Sequence, residues 1–181
     1  MQLNEWFDKG MSIESYVNEL TDHRENFEKI YADFSMPDDA AMIEKIQNNN
    51  LKALVIAEPW CGHCMLNIPI LKRIAEKSGM EISVCLRDTH PELMDQYETN
   101  GKRIIPIFIF IDDEGREVSK WGPRAPKVAD IHNRMLQSLP EKDAPEYNEV
   151  FKEKVSELVL RFSTDQVLWD HVYEDIKKSL I

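Results

Sequence analysis

The sequence has no long hydrophobic run, few cysteines and no excess of positive charge. None of its 181 residues lies in a stretch that approaches the ~18 apolar residues of a membrane span. The first ten residues lack the basic start and the apolar run of a signal peptide, so we expect a cytoplasmic protein. Acidic residues outnumber basic ones 33 to 22, and the net charge of −11 disfavours nucleic acids and anionic membranes as partners.

Three cysteines are too few, and odd in number, for a secreted domain held together by disulfides. Cys61 and Cys64 form an isolated Cys-x-x-Cys pair, whereas Cys85 lies in an apolar segment. In the cytoplasm such a pair is usually catalytic or metal-binding. A zinc site needs four ligands, normally a second pair or two well-spaced histidines. The pattern therefore favours redox chemistry over zinc and over two unrelated core cysteines, and we expect no metal and no cofactor.

The hydrophobic pattern predicts an α/β fold with extra helices at both ends. Short apolar runs predict strands, and the spacing of apolar residues between them predicts helices, in the order βαβαββα. This order is typical of a three-layer sandwich around a mixed sheet of about four strands. We expect a helical N-terminal extension (1–35), a central domain (36–140) and a helical C-terminal extension (141–181). The extensions have apolar stripes, so we expect them to pack on the core away from Cys61, or on a second subunit.

The Cys-x-x-Cys pair stands where a buried strand ends and a helix begins. At a helix start the sulfur of Cys61 lies near free N–H groups and the positive end of the helix dipole, which favour a thiolate. We therefore expect Cys61 to be the nucleophile and Cys64, one turn along, to resolve the mixed disulfide. His63 can add positive charge beside the thiolate, and the alternative is a solvent-exposed spacer residue.

The segment Trp60-Cys61-Gly62-His63-Cys64 resembles the active site of the thioredoxin superfamily, with the spacer typical of protein disulfide isomerase domains. Three further features are similar and extend the match over about 51–139. They are a proline in the active-site helix, a Gly-x-Arg-x-Ile-Pro segment whose proline is cis in the family, and a glycine beside the substrate groove, here Pro69, Gly101 to Pro106, and Gly122.

This resemblance implies a thioredoxin-like fold and a thiol–disulfide oxidoreductase that acts on protein disulfides or dithiols and is served by a reductase. It implies that the backbone of Ile105 pairs with an extended substrate. The substrate-binding residues that it implies are Trp60, Gly62, Ile105, Pro106 and Gly122.

The chain departs from the family at one charged pair. Thioredoxins usually carry a buried Asp six residues before the first cysteine, paired with a Lys, and the corresponding residues here are Val55 and Val84. The usual proton acceptor for Cys64 is therefore missing. We expect Glu58 to take over part of this proton transfer, and the alternative is a solvated loop carboxylate.

His23, His132 and His171 lie on predicted helices, and nothing in the sequence brings these three near the dithiol. The alternative to an oxidoreductase is a thioredoxin-fold binding or chaperone-like module with little turnover. A third possibility is a dimer of glutaredoxin type that bridges an iron–sulfur cluster. The sequence leaves open whether the protein is a monomer or a homodimer.

Overall fold

The structure is a computed structural model that describes all 181 residues as a five-stranded sheet and nine helices. The strands are β1 (Met11–Ser12), β2 (Lys52–Ala57), β3 (Ile82–Leu86), β4 (Ile107–Ile111) and β5 (Glu117–Trp121). The helices are α1 (Leu3–Lys9), α2 (Ile13–Glu19), α3 (Arg24–Asp33), α4 (Ala40–Asn48), α5 (Gly62–Ser78), α6 (Pro91–Met94), α7 (Pro126–Gln137), α8 (Tyr147–Thr164) and α9 (Gln166–Leu180).

The sheet is mixed and has the strand order β1-β3-β2-β4-β5. Strands β2 and β3 are parallel, and every other neighbouring pair is antiparallel. The α/β fold with extra helices is confirmed, but the expected count of about four strands is corrected to five. The additional strand, β1, has only two residues, and Ser12 within it also caps α2 by accepting a hydrogen bond from Ser15 N. So short a strand has no periodicity that a sequence can reveal.

The two valines at the positions of the family's charged pair lie side by side in the sheet. Val55 on β2 is the register partner of Val84 on β3, and neither is exposed to solvent. On the opposite face of β3, the Cys85 thiol donates a hydrogen bond to Trp6 O on α1 (3.4 Å). A single buried charge without its partner would lower the stability of the fold by about 3–5 kcal/mol, and a valine at both positions avoids this cost.

The terminal helices share one continuous hydrophobic core with the sheet. Helix α1 packs on β2 and β3, α3 packs on α5 and α8, and α9 packs on α4, α5, α7 and β5. The expectation that the extensions lie away from Cys61 is wrong for α8, which packs on α5 and brings Phe162 against His63 of the redox motif. The boundaries at residues 35 and 140 stay a prediction. No helix combines the length and the apolar character needed to cross a membrane.

Asp39 joins α4 to α9 through three contacts. Its Oδ1 accepts a hydrogen bond from Met42 N (3.3 Å) and so caps α4. Its Oδ2 accepts from the Tyr173 hydroxyl (3.1 Å) and pairs with Lys177 Nζ (2.5 Å). The hydrogen bond from Lys177 is the main cause that lowers the pKa of Asp39.

We expect Asp39→Ala to lower the free energy of unfolding by about 1–3 kcal/mol, because a helix cap is worth about 1 kcal/mol and a buried hydroxyl loses its partner. Urea denaturation measures the change, and Asp38→Ala, at the exposed neighbour, is the matched control. The lowered pKa means that the loss is present above pH about 4 and disappears as the pH falls through the folded-state value. Equal losses in both variants would contradict the role of Asp39.

Candidate active site

Cys61 is the N-cap of α5 through its sulfur. The backbone N–H of Cys64 donates a hydrogen bond to Cys61 Sγ (3.2 Å), and Ile105 O lies 3.9 Å from the same sulfur. Cys61 is 7% exposed and Cys64 is 0% exposed, and both are free thiols. Only the sulfur of Cys61 can therefore meet a substrate directly.

The two thiols have opposite pKa shifts. The pKa of Cys61 is lowered mainly by the hydrogen bond from the Cys64 side chain, with help from the backbone N–H groups of Cys64 and His63 and from the charge of Arg124, while burial opposes the shift. The pKa of Cys64 is raised well above its ordinary value, first of all by burial. Of the two thiols, Cys61 is therefore the one that ionises more easily.

His63 is not the positive charge that the sequence suggested. Burial, followed by the charges of Arg124 and His132, lowers its pKa well below the usual range, so the ring is neutral. Its Nε2 accepts a hydrogen bond from Arg124 Nε (3.1 Å), which places the proton of the ring on Nδ1. The ring of Phe162, on α8, packs against it with centroids 5.1 Å apart. His63 is thus a hydrogen-bond acceptor that orients Arg124.

The cation that lowers the pKa of Cys61 is Arg124, a residue that sequence reasoning missed. It lies in the loop between β5 and α7, is partly buried and lines the same pocket as Cys61. His132 on α7 approaches His63, with its Nδ1 3.3 Å from His63 Nε2. The expectation that His132 lies far from the dithiol is therefore wrong. The only sequence signal was that Arg124 follows the candidate groove residue Gly122 by two positions.

Glu58 is buried rather than solvated. Its side chain is 6% exposed, and Oε1 accepts a hydrogen bond from Asp88 N (2.8 Å). Burial is the main cause that raises its pKa, and the charge of Asp88 raises it further. Glu58 is also among the groups whose charge raises the pKa of Cys64, so the Glu58 carboxylate and the Cys64 thiol are electrostatically linked.

The N-terminal helices brace the strand end that carries Glu58. Tyr16 on α2 is 0% exposed, and its hydroxyl donates a hydrogen bond to Glu58 O (3.0 Å). Burial and the nearby Cys64 and Cys61 raise the pKa of Tyr16, so it stays a neutral donor. His23, which was expected to lie far from the site, contacts Trp60 O through Nε2 (3.1 Å). His171 is exposed to solvent on α9.

A pocket of about 320 Å³ opens beside Cys61. Three of the predicted substrate-binding residues line it, namely Trp60, which is 57% exposed, Gly62 and Ile105. Pro106 lies behind Ile105, and the Ile105–Pro106 peptide bond is cis. Gly122 packs on this segment at a positive φ of 124°, and a Cβ there would lie 2.4 Å from Pro106 O, so only glycine fits. Pro106 and Gly122 shape the wall rather than line the opening.

This fold together with a buried Cys-x-x-Cys dithiol is characteristic of thiol–disulfide redox proteins. The family model described as Thioredoxin matches residues 10–138, and the chain belongs to the thioredoxin family. This membership supports oxidoreductase chemistry in general.

Three curated relatives match only the central part of the chain. A thioredoxin of Pyropia yezoensis is 35% identical over 74 residues, which are 39% of this chain and 66% of the relative. A thioredoxin of Porphyra purpurea is 34% identical over 80 residues, or 42% and 72%. Protein disulfide-isomerase A6 of Mesocricetus auratus is 36% identical over 67 residues, or 36% and 15%. The match thus spans less than two thirds of the isomerase and of the Pyropia protein.

Two solved structures share the fold over nearly the whole chain. A crystal structure of an HIV epitope scaffold has a TM-score of 0.63 and 16% identity, with 99% of this chain and 98% of that chain covered. A protein of unknown function from Pseudomonas aeruginosa has a TM-score of 0.58 and 17% identity, with 98% of each chain covered. The terminal helices are therefore part of an architecture that other proteins also have.

Replacing Arg124 by Met should raise the pKa of Cys61 toward its ordinary value, because the positive charge that favours the thiolate is lost. The pH dependence of iodoacetamide alkylation measures this pKa. Arg116→Met removes the same charge at the turn between β4 and β5, at the opposite end of the sheet, and is the matched control. An alkylation profile that shifts equally in both variants, or in neither, would contradict the assignment.

Proposed function

We propose that the protein exchanges disulfides with protein substrates, with Cys61 as the nucleophile and Cys64 as the resolving thiol. The observation that supports this most directly is the contrast between the two sulfurs, one at a helix N-terminus with a lowered pKa and one buried with a raised pKa. The backbone of Ile105, 3.9 Å from the nucleophilic sulfur, is placed to pair with an extended substrate chain.

The exchange balances in two steps. The Cys61 thiolate attacks one sulfur of a substrate disulfide, a mixed disulfide forms, and the other substrate sulfur leaves as a thiolate. Cys64 then loses its proton and attacks the sulfur of Cys61, which releases the second substrate thiol and leaves a Cys61–Cys64 disulfide. A dithiol reductase restores the reduced pair. A cytoplasmic setting belongs to this proposal, because a chain with three cysteines lacks the disulfide framework of small secreted domains.

Glu58 is the proposed proton acceptor for Cys64. Its raised pKa brings a carboxylate closer to the pH range in which it can exchange protons with a thiol. The structure contains no direct hydrogen bond between the Glu58 carboxylate and Cys64, so the proposed transfer runs through a water molecule. Val55 and Val84, where the family has charged residues, cannot accept a proton because their side chains are aliphatic.

Cys64→Ser should trap substrates as mixed disulfides on Cys61, because the resolving attack is lost. Cys61→Ser should neither trap substrates nor turn over. Cys85→Ala should behave as the parent, since Cys85 is buried against α1 on the face of β3 opposite to Val84. Non-reducing electrophoresis with reduction-sensitive bands detects the trapped species. Trapping by Cys61→Ser instead would reverse the two roles. If Cys64→Ser traps no substrate and the parent does not reduce insulin, the proposed function is overturned.

Glu58→Gln should slow the release of the mixed disulfide by about tenfold or more and leave the first attack by Cys61 nearly unchanged, since only the second step needs the base. Stopped-flow fluorescence separates the two steps. Glu81→Gln, an exposed carboxylate before β3 at the other end of the sheet, is the matched control. Equal release rates in Glu58→Gln and the parent would leave solvent as the proton acceptor.

A further inference from the structure

The pocket beside Cys61 has a charge opposite to that of the whole protein. Acidic residues outnumber basic ones 33 to 22 in the chain, yet the nine residues that line the pocket include no Asp or Glu. They include three of the eight arginines, Arg87, Arg103 and Arg124. Positive charge is thus concentrated where a substrate disulfide must enter.

The acidic groups around the pocket leave part of this charge available. Arg87 pairs with Asp88 (2.8 Å) and Arg103 with Asp95 (2.6 Å), but Asp88 and Asp95 are 58% and 49% exposed. Exposed pairs of this kind contribute about 0–1 kcal/mol, so an incoming anion can share or replace them. Arg124 forms no ion pair with a carboxylate, and its Nε donates a hydrogen bond to the neutral His63. Glu58 lies behind the pocket, bound to Asp88 N, and is not among the lining residues.

We propose that this pocket selects disulfides that carry a carboxylate close to the sulfur that Cys61 attacks. The inference rests on the proposed function and names the chemical class of its substrate. A guanidinium group donates two parallel hydrogen bonds to a carboxylate, so three arginines around one opening suit such a group.

The reaction itself makes the site more receptive to an anion. In the reduced protein the Cys61 thiolate is the counter-charge of Arg124. When the thiolate attacks, its negative charge passes to the leaving sulfur, and Cys61 becomes part of a neutral mixed disulfide. Arg124 then has no anion beside it except one that the bound half of the substrate supplies. A carboxylate on that half therefore stabilises the mixed disulfide.

Three small disulfides of different charge test this selectivity: dithiodiglycolate, a dianion, hydroxyethyl disulfide, which is neutral, and cystamine, a dication. The rate of thiol loss in the reduced protein is measured for each by mass after acid quenching. Each rate is divided by the rate at which free dithiothreitol reacts with the same disulfide at the same pH. This normalisation removes differences in intrinsic reactivity between the three disulfides. At about 0.15 M salt the Debye length is about 8 Å, so distant acidic residues are screened and the pocket arginines are not.

We expect normalised rates in the order dianion, neutral, dication, with about tenfold between the extremes, which corresponds to about 1.4 kcal/mol. Arg103→Gln and Arg124→Gln should each lower the ratio of dianion to dication by about threefold, whereas Arg116→Gln, far from the pocket, should leave it unchanged. The ratio cancels any change in the reactivity of Cys61 itself. Circular dichroism checks that each variant is folded.

Equal normalised rates for the three probes, or a ratio that is the same in the parent and in both pocket variants, would overturn the inference while leaving disulfide exchange intact. A protein that reacts with none of the probes would overturn the proposed function and this inference together.

Discussion

The Cys61 sulfur accepts the hydrogen bond that begins α5, and the arrangement of the site depends on this contact. Because a side-chain sulfur takes the place of the usual Ser or Asp cap, the first free N–H groups of the helix stabilise a thiolate instead of a hydroxyl or carboxylate. The same turn brings Cys64 beneath Cys61, where it is fully buried. This turn therefore sets the difference in access between the two thiols. It also contributes to their difference in pKa, together with the hydrogen bond from the Cys64 side chain and the burial of Cys64.

The proposed resolving thiol, Cys64, is buried and in that role needs a base, whose position is limited by the packing of the sheet. The centre of β2 next to β3 is occupied by the Val55–Val84 pair, so a carboxylate there would have no cation partner. The end of β2 is different, because Glu58 meets a backbone N–H of Asp88 and its own carbonyl is held by Tyr16. A polar group at the strand end can thus be buried with its hydrogen bonds satisfied. Burial raises the pKa of Glu58, and the hydrogen bond from Asp88 N offsets part of that rise.

Local sequence signals predicted the helix and strand that contain the site, because these elements are specified by residues that are neighbours in the sequence. The apolar run of β2, the start of α5 and its end at Gly79, which adopts a positive φ, are all of this kind. The contacts that set the charge of the site are long-range instead: His132 is 69 residues and Arg124 is 61 residues from His63. No pattern within a window of the sequence encodes such pairs. The charge of His63 was misjudged for the same reason, since its burial comes from a distant helix.

The C-terminal helices consequently influence the chemistry of the motif as well as its stability. Phe162 on α8 covers the ring of His63, and a covered imidazole without an acidic neighbour is held neutral. A neutral imidazole can accept a hydrogen bond from Arg124, whereas an imidazolium would repel it. The positive charge near Cys61 is therefore a permanent guanidinium rather than a histidine that titrates near neutral pH. In this way a helix outside the matched segment 10–138 determines which residue carries the charge beside the thiolate.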